Sequence, residues 1–277
     1  MKKIVIIYHG DCKDGFGGAW VAWKKFGAKA RYLPAQHERP VPRGLKNKKV
    51  YLIDFSYPLP KLKTLLKNAS KVILIDHHLT AQAAAKLIPE GLFNLNHSGA
   101  VLAWKYFYPK KSIPQLLRHI EDRDLWKFKL SSTEEILTAL GTRERSFVAF
   151  ETFMKSLNNS RERSKIIKEG KALLAYKAEL VSDILTKASL GVFAGKKVPI
   201  VNSPIFESDL GNALVRRGFP FAVVWHYKRD RIKISLRSDG KFDVSKIALR
   251  FGGGGHKAAA AFHLPITKPL PWKLLKK

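Results

Sequence analysis

One cysteine, Cys12, is all that 277 residues carry. No internal disulfide framework is available, and a reducing cytoplasm is the expected setting. Long apolar runs are missing too: nothing approaches the roughly 18 uninterrupted apolar residues of a membrane span, so no membrane association is expected. The opening Met1-Lys2-Lys3-Ile4-Val5-Ile6-Ile7 is too short in its apolar part for a secretory signal and breaks at once into His9, Asp11 and Asp14. It reads as the first strand of a sheet. There is no internal repeat, and low complexity is confined to Gly252-Gly253-Gly254-Gly255. Negative charge is scarce: Lys+Arg number 51 against 22 Asp+Glu, a formal net charge of +29. A field of that sign concentrates polyanions and raises encounter rates with them.

What is present is a strand–helix alternation over the first half of the chain. Apolar runs at residues 3–8, 50–53 and 72–75 read as strands, with shorter ones at 30–33 and 91–95. Between them, Asp14-Gly15-Phe16-Gly17-Gly18-Ala19 opens a helix of small residues. A proline-started helix covers 58–69 with Leu59, Leu62, Leu65 and Leu66 on one face, an Ala-rich one covers 80–87, and Ser98-Gly99-Ala100 starts another. This predicts an α/β fold, a mostly parallel sheet with helices on both faces. Residues 131–189 read as helix only, with segments at 133–140, 147–157 and 160–188. After that, β-rich sequence returns at 197–201, 221–225 and 231–236, with a helix over 210–216. The expected organisation is a catalytic domain over 1–130, a helical connector over 131–190 and a smaller α/β domain over 191–277, with a frayed basic tail ending in Lys276 and Lys277.

The few acids cluster where the strands stop. The first strand ends on His9 and Asp11, the second on Asp54, the third on Asp76-His77-His78. In an open parallel sheet, ligands collect beyond the carboxyl ends of the strands, so these side chains are expected to share one basin. A carboxylate beside a ligating histidine fixes its tautomer, and the two histidines are expected to point in opposite directions. Mixed nitrogen and oxygen donors suit Mn2+ and tolerate Mg2+, Zn2+ or Fe2+, whereas a closed zinc site of thiolates is excluded. Cys12 itself reads as a small buried hydrophobe. Glu121-Asp122-Arg123-Asp124 could complete the donor set, with Asp124, next to Leu125-Trp126, preferred over Asp122. Near the far end, Gly252-Gly253-Gly254-Gly255-His256-Lys257 is expected to offer backbone N–H groups to a phosphate.

These strings, in this order, resemble the DHH family of phosphoesterases with its associated C-terminal domain. The resemblance rests on the loop from His9 to Gly15, on Asp54, Asp76-His77-His78, Ser98-Gly99-Ala100, Asp122 to Trp126, Arg237-Ser238 and Gly252 to His256. It implies a pair of Mn2+ ions, replaceable by Mg2+, held by His9, Asp14, Asp54, His77 and Asp124, with Asp54 bridging. Asp11 is a further candidate ligand, since family loops commonly space these acids by two and here the spacing to Asp14 is three. Asp76 and His78 take catalytic roles, orienting a ligand and contacting phosphate. Ser98, Arg123, Arg237, Gly253, Gly254, Gly255 and His256 would hold substrate. The implied activity is hydrolysis of phosphodiester bonds in short or single-stranded nucleic acid, the charge favouring a polyanion. Polyphosphate, a small phosphorylated metabolite or a cyclic dinucleotide are the alternative substrates. A homodimer is left open as the assembly.

Overall fold

Both faces of Ile4-Val5-Ile6-Ile7 are covered, and that sets the layout of the first half of the chain. This computed structural model describes residues 2–10, 12–36 and 39–275, and it divides into two compact units, Met1–Leu174 and Ala175–Lys277. Asp11, Lys276 and Lys277 lie outside the described residues.

Unit 1 runs β1 (Ile4–His9), α1 (Lys13–Phe26), β2 (Ala30–Ala35), β3 (Lys49–Ile53), α2 (Leu59–Asn68), β4 (Lys71–Asp76), α3 (Gln82–Leu87), β5 (Gly91–Phe93), α4 (Gly99–Phe107), α5 (Gln115–Asp124), α6 (Thr133–Leu140) and α7 (Phe147–Asn158). The strands form one parallel sheet in the order β2-β1-β3-β4-β5. Alternate residues serve different cores. Ile6, Ile53 and Ile75 pack with Trp20, Val101 and Leu117 on one face, while Ile7, Leu52 and Leu74 pack with Leu62, Leu65 and Ala84 on the other. Continuous apolar strands are what a sheet covered on both sides demands, and each such side chain contributes about 1.5–3 kcal/mol. Leu59, expected on the buried face of α2, is 40% exposed in the first turn of that helix.

The helices expected to form a connector do more than connect. Ile136, Leu137, Phe150, Phe153 and Leu157 of α6 and α7 belong to the same core as Trp20 and Trp104, and Ile166 of α8 (Ser160–Thr186) joins them. Their apolar residues recur at helical spacing, so an apolar face existed that had to be buried somewhere.

Unit 2 contains the end of α8, then β6 (Ser189–Phe193), β7 (Lys196–Asn202), α9 (Glu207–Val215), β8 (Ala222–Lys228), β9 (Arg231–Arg237), α10 (Ser245–Arg250), β10 (Gly254–His256), β11 (Ala259–Pro265) and β12 (Trp272–Leu274). These strands make a seven-stranded sheet in the order β10-β11-β9-β8-β7-β6-β12. Only β7 and β8 pair in parallel. Phe193, Phe221, Phe262 and Ile234 fill one of its cores.

Candidate metal centre

The strand order of unit 1 reverses between β1 and β3, and a sheet of this order opens a crevice beyond the carboxyl ends of those two strands. His9 ends β1, Asp54 follows β3, and His77 follows β4 at that edge. Two glycines let the helices close over it. A methyl group at Gly15 would lie 2.3 Å from the His9 carbonyl oxygen, so only glycine allows the first turn of α1 to sit on the strand end. A methyl group at Gly99 would lie 2.5 Å from Asp54 Cβ and 3.0 Å from Asp14 Oδ2. The start of α4 therefore presses against both acids. Its first amides, Gly99 N and Ala100 N, donate to Asp14 Oδ2 and Oδ1 at 2.6 and 2.9 Å, as the positive end of a helix does for a carboxylate.

Asp54 sits at the middle of the cluster, with a left-handed backbone (φ 54°) and 2% exposure. Its Oδ2 accepts from Cys12 Sγ at 3.1 Å and lies 3.7 Å from His9 Nδ1. Its Oδ1 lies 3.2 Å from His77 Nε2 and 3.7 Å from His78 Nδ1. His77 Nε2 is also 3.7 Å from Asp14 and 3.4 Å from Asp124. Three overlapping donor groups result: His9–Cys12–Asp54, Asp54–His77–His78 and Asp14–His77–Asp124.

The electrostatics follow from burial and crowding. Burial, then Asp54 and Asp124, push the Asp14 carboxyl well above its usual range. Burial and Asp54 also raise Asp124. Burial works the same way on Asp54, but the bonds from His77, His9 and Cys12 outweigh it and hold that carboxylate low. Burial opposes a charge on His77, yet the Asp54 bond prevails and its pKa rises. The Asp76 hydrogen bond raises His78 to about 9. Burial, Asp54 and Asp14 push the Cys12 thiol up. Three carboxylates around one imidazole, two of them buried (Asp14 and Asp54) and Asp124 at the open side, repel one another at the edge of a low-dielectric site. Asp76 Oδ2 is in addition buried without a hydrogen-bond partner among the described residues. A divalent cation fits this mixed donor set and relieves that repulsion.

Most residues singled out from sequence meet here. Asp124, at the end of α5, faces His77, whereas Asp122 is buried and accepts from Lys129 N, Leu130 N and the Thr133 hydroxyl, holding the following loop. Asp76 Oδ1 accepts from both following amides and from His78 Nδ1 at 2.8 Å, so it orients His78. The expected opposite pointing of His77 and His78 is corrected: their rings lie 4.3 Å apart. β4 ends at Asp76, so strand alternation no longer governs them. Ser98, expected at the substrate, is fully buried and caps α4 through Val101 N.

Arg123 lines a cavity of about 520 Å3 in unit 1 together with Asp14, Asp124, Lys13, Arg145 and Trp126. Trp126, following Asp124 by two residues, is 66% exposed and meets Phe128 edge-on. From sequence it is assigned no role at the site; its place just after Asp122 and Asp124 was the available signal.

The substrate candidates of the last third lie in unit 2. Arg237 donates to the Leu236 carbonyl and to the Ser208 hydroxyl. The glycine loop is less open than expected. Gly252 N and Gly253 N donate to the Leu249 and Ala248 carbonyls at the end of α10, and Gly254, Gly255 and His256 pair with β11. His256 remains exposed.

Residues 209–270 match the DHHA1 domain. An uncharacterized protein, R106, of Acanthamoeba polyphaga mimivirus is 37% identical over 283 residues; the match covers 92% of this chain, which spans 66% of that relative's length. Among solved structures, a pGpG-specific phosphodiesterase, PggH, from Vibrio cholerae superposes with TM-score 0.54 at 14% identity, over 96% of this chain and 94% of that one. Exonuclease RecJ bound to manganese gives TM-score 0.54 at 18% identity, over 95% and 86%. At such identities the likeness is one of fold.

Proposed function

We propose that this chain is a metal-dependent phosphodiesterase of the DHH family acting on short or single-stranded nucleic acid, a reading supported by the DHHA1 match over residues 209–270 and by the donor cluster of unit 1. His9, Asp14, Asp54, His77 and Asp124 would hold two divalent cations, Mn2+ by preference with Mg2+ as substitute. The observation that carries this reading is Asp54, whose two oxygens each face a separate set of donors. When bound, paired cations lower the pKa of a water and neutralise phosphate oxygens during in-line attack. The chain's own groups do the rest. Asp76 holds His78 through Nδ1 and orients its ring, which leaves Nε2 to meet a phosphate oxygen. Lys13, Arg123 and Arg145 give the adjoining cavity a cationic wall, and Trp126 offers a ring on which a base can stack.

A cavity of about 520 Å3 is in the range that takes a small ligand such as one nucleotide, which supports short substrates or strand ends. The manganese in the RecJ structure supports the choice of ion, and the substrate in PggH's name supports a dinucleotide as a minimal substrate. The test is a Mn2+-supplemented assay on 5′- and 3′-labelled oligonucleotides from two residues upward, run beside polyphosphate and a cyclic dinucleotide. Release of mononucleotides is expected. Phosphate release from polyphosphate alone would replace the nucleic-acid reading, and no hydrolysis of any of these would end it.

A further inference from the structure

Cys12 is the one member of the donor cluster that the sequence reading set aside. Its sulfur lies 3.1 Å from His9 Nδ1 and 3.1 Å from Asp54 Oδ2, and the third edge, His9 to Asp54, is 3.7 Å. Bonds of about 2.3 Å to sulfur and about 2.0–2.2 Å to nitrogen and oxygen place ligand atoms on one cation roughly 3–3.8 Å apart. The triangle of edges is thus that of one face of a coordination polyhedron. Burial, Asp54 and Asp14 keep the metal-free thiol protonated, and one backbone contact favours the thiolate that a cation would bind. Cys12 is the N-cap of α1 and accepts from Gly15 N at 3.1 Å, so its sulfur lies at the positive end of a 14-residue helix.

We propose that Cys12 is a metal ligand, which together with His9 and Asp54 forms one position of the metal pair and makes that pair chemically unequal. One position is then nitrogen, sulfur and oxygen, while the other, built from Asp14, His77 and Asp124, is nitrogen and oxygen only. The inference rests on the reading of this cluster as a metal centre. On loading, a metal–sulfur bond forms, the S–H bond breaks, and the proton now shared with Asp54 Oδ2 leaves to solvent. A thiolate favours Zn2+, Fe2+ or Co2+ over Mg2+, so the two positions differ in what fills them.

The test is a Co2+ titration of the full chain, read by near-ultraviolet absorption and by metal content after gel filtration. Wild type is expected to take up two equivalents and to show a sulfur-to-cobalt charge-transfer band. Cys12→Ser keeps an N-cap oxygen for α1, so the fold is retained, and it is expected to lose the band and bind one equivalent at least ~10-fold more weakly. Cys12→Asp is expected to lose the band yet recover a second equivalent of Mn2+, an all-oxygen-and-nitrogen position in place of the mixed one. Two bound Co2+ without the band, or the same band in Cys12→Ser, would overturn the assignment while leaving the metal centre intact. No Co2+ uptake at all would overturn both.

Discussion

Replacing Gly99 by alanine tests the closeness of packing on which the site depends. The added methyl would sit 2.5 Å from Asp54 Cβ, against about 3.4 Å for ordinary contact, so close to 0.9 Å of displacement must come from α4 or from the acid. It would also lie 3.0 Å from Asp14 Oδ2, the oxygen that accepts from Gly99 N. Both carboxylates are pushed at once. A misplacement of about 1 Å at a reacting centre costs on the order of 100-fold, so kcat with Mn2+ is expected to fall about that much, with weaker uptake of at least one ion. Global stability moves less. Overpacking costs about 1–3 kcal/mol, and alanine in the first turn of a helix recovers up to about 1 kcal/mol relative to glycine. Steady-state kinetics, calorimetric Mn2+ titration and thermal unfolding of the same preparation measure the three effects. A variant with wild-type kcat and metal affinity would refute the claim that α4 sets the position of these acids.

Asp54→Asn preserves shape and tolerates the left-handed backbone while removing the charge shared by both donor sets. Activity is expected to drop at least ~10³-fold, about 4 kcal/mol, and the metal-free protein is expected to melt lower at neutral pH, because the bonds from His77, His9 and Cys12 favour the ionised carboxylate; activity within tenfold of wild type would remove Asp54 from the centre. In the metal-free protein, His78 is expected to titrate near 9. Its raised value means that its contribution to stability is complete below about 6.5 and is lost as pH rises through about 9. Asp76→Asn should return it towards 6.5 in an NMR titration, and an unmoved His78 would discard Asp76 as its partner. Trp126→Ala is expected to raise KM for oligonucleotides about tenfold or more, stacking being worth ~1–3 kcal/mol per base, with Mn2+ affinity untouched; an unchanged KM would take the ring out of substrate binding.

Much of unit 1 was legible because its strands carry their own ends. Val50-Tyr51-Leu52-Ile53 and Val72-Ile73-Leu74-Ile75 are too apolar to be anything but covered strands, and the residues after them are polar enough to mark the sheet edge. Cys12 was passed over because the loop reads first as His9-Gly10-Asp11, and because a cysteine at a helix start looks like a small apolar residue until its neighbours are known. The convergence of Asp54, three residues of the first loop and α4 is long-range, and no local pattern encodes it. The same limit hid β11, whose Ala259-Ala260-Ala261 lacks the branched residues of a strand and is fixed by pairing with β9. β10 and β12 are three-residue edges that exist only through their partners. Histidines 77 and 78 were misdirected for a related reason, since alternation was carried one step past the strand that produced it.

The left-handed turn at Asp54 also bears on how such a protein would respond to selection. A side chain held there costs roughly 1 kcal/mol or more that glycine would not, a cost that the bonds from His77, His9 and Cys12 offset. A library screened for heat resistance alone would therefore accumulate glycine at position 54, and lose activity with it, only where other substitutions replace the bonds that this carboxylate accepts. Survivors that lose aspartate under such a screen would locate the compensating substitutions, and the obvious places to find them are the first turns of α1 and α4.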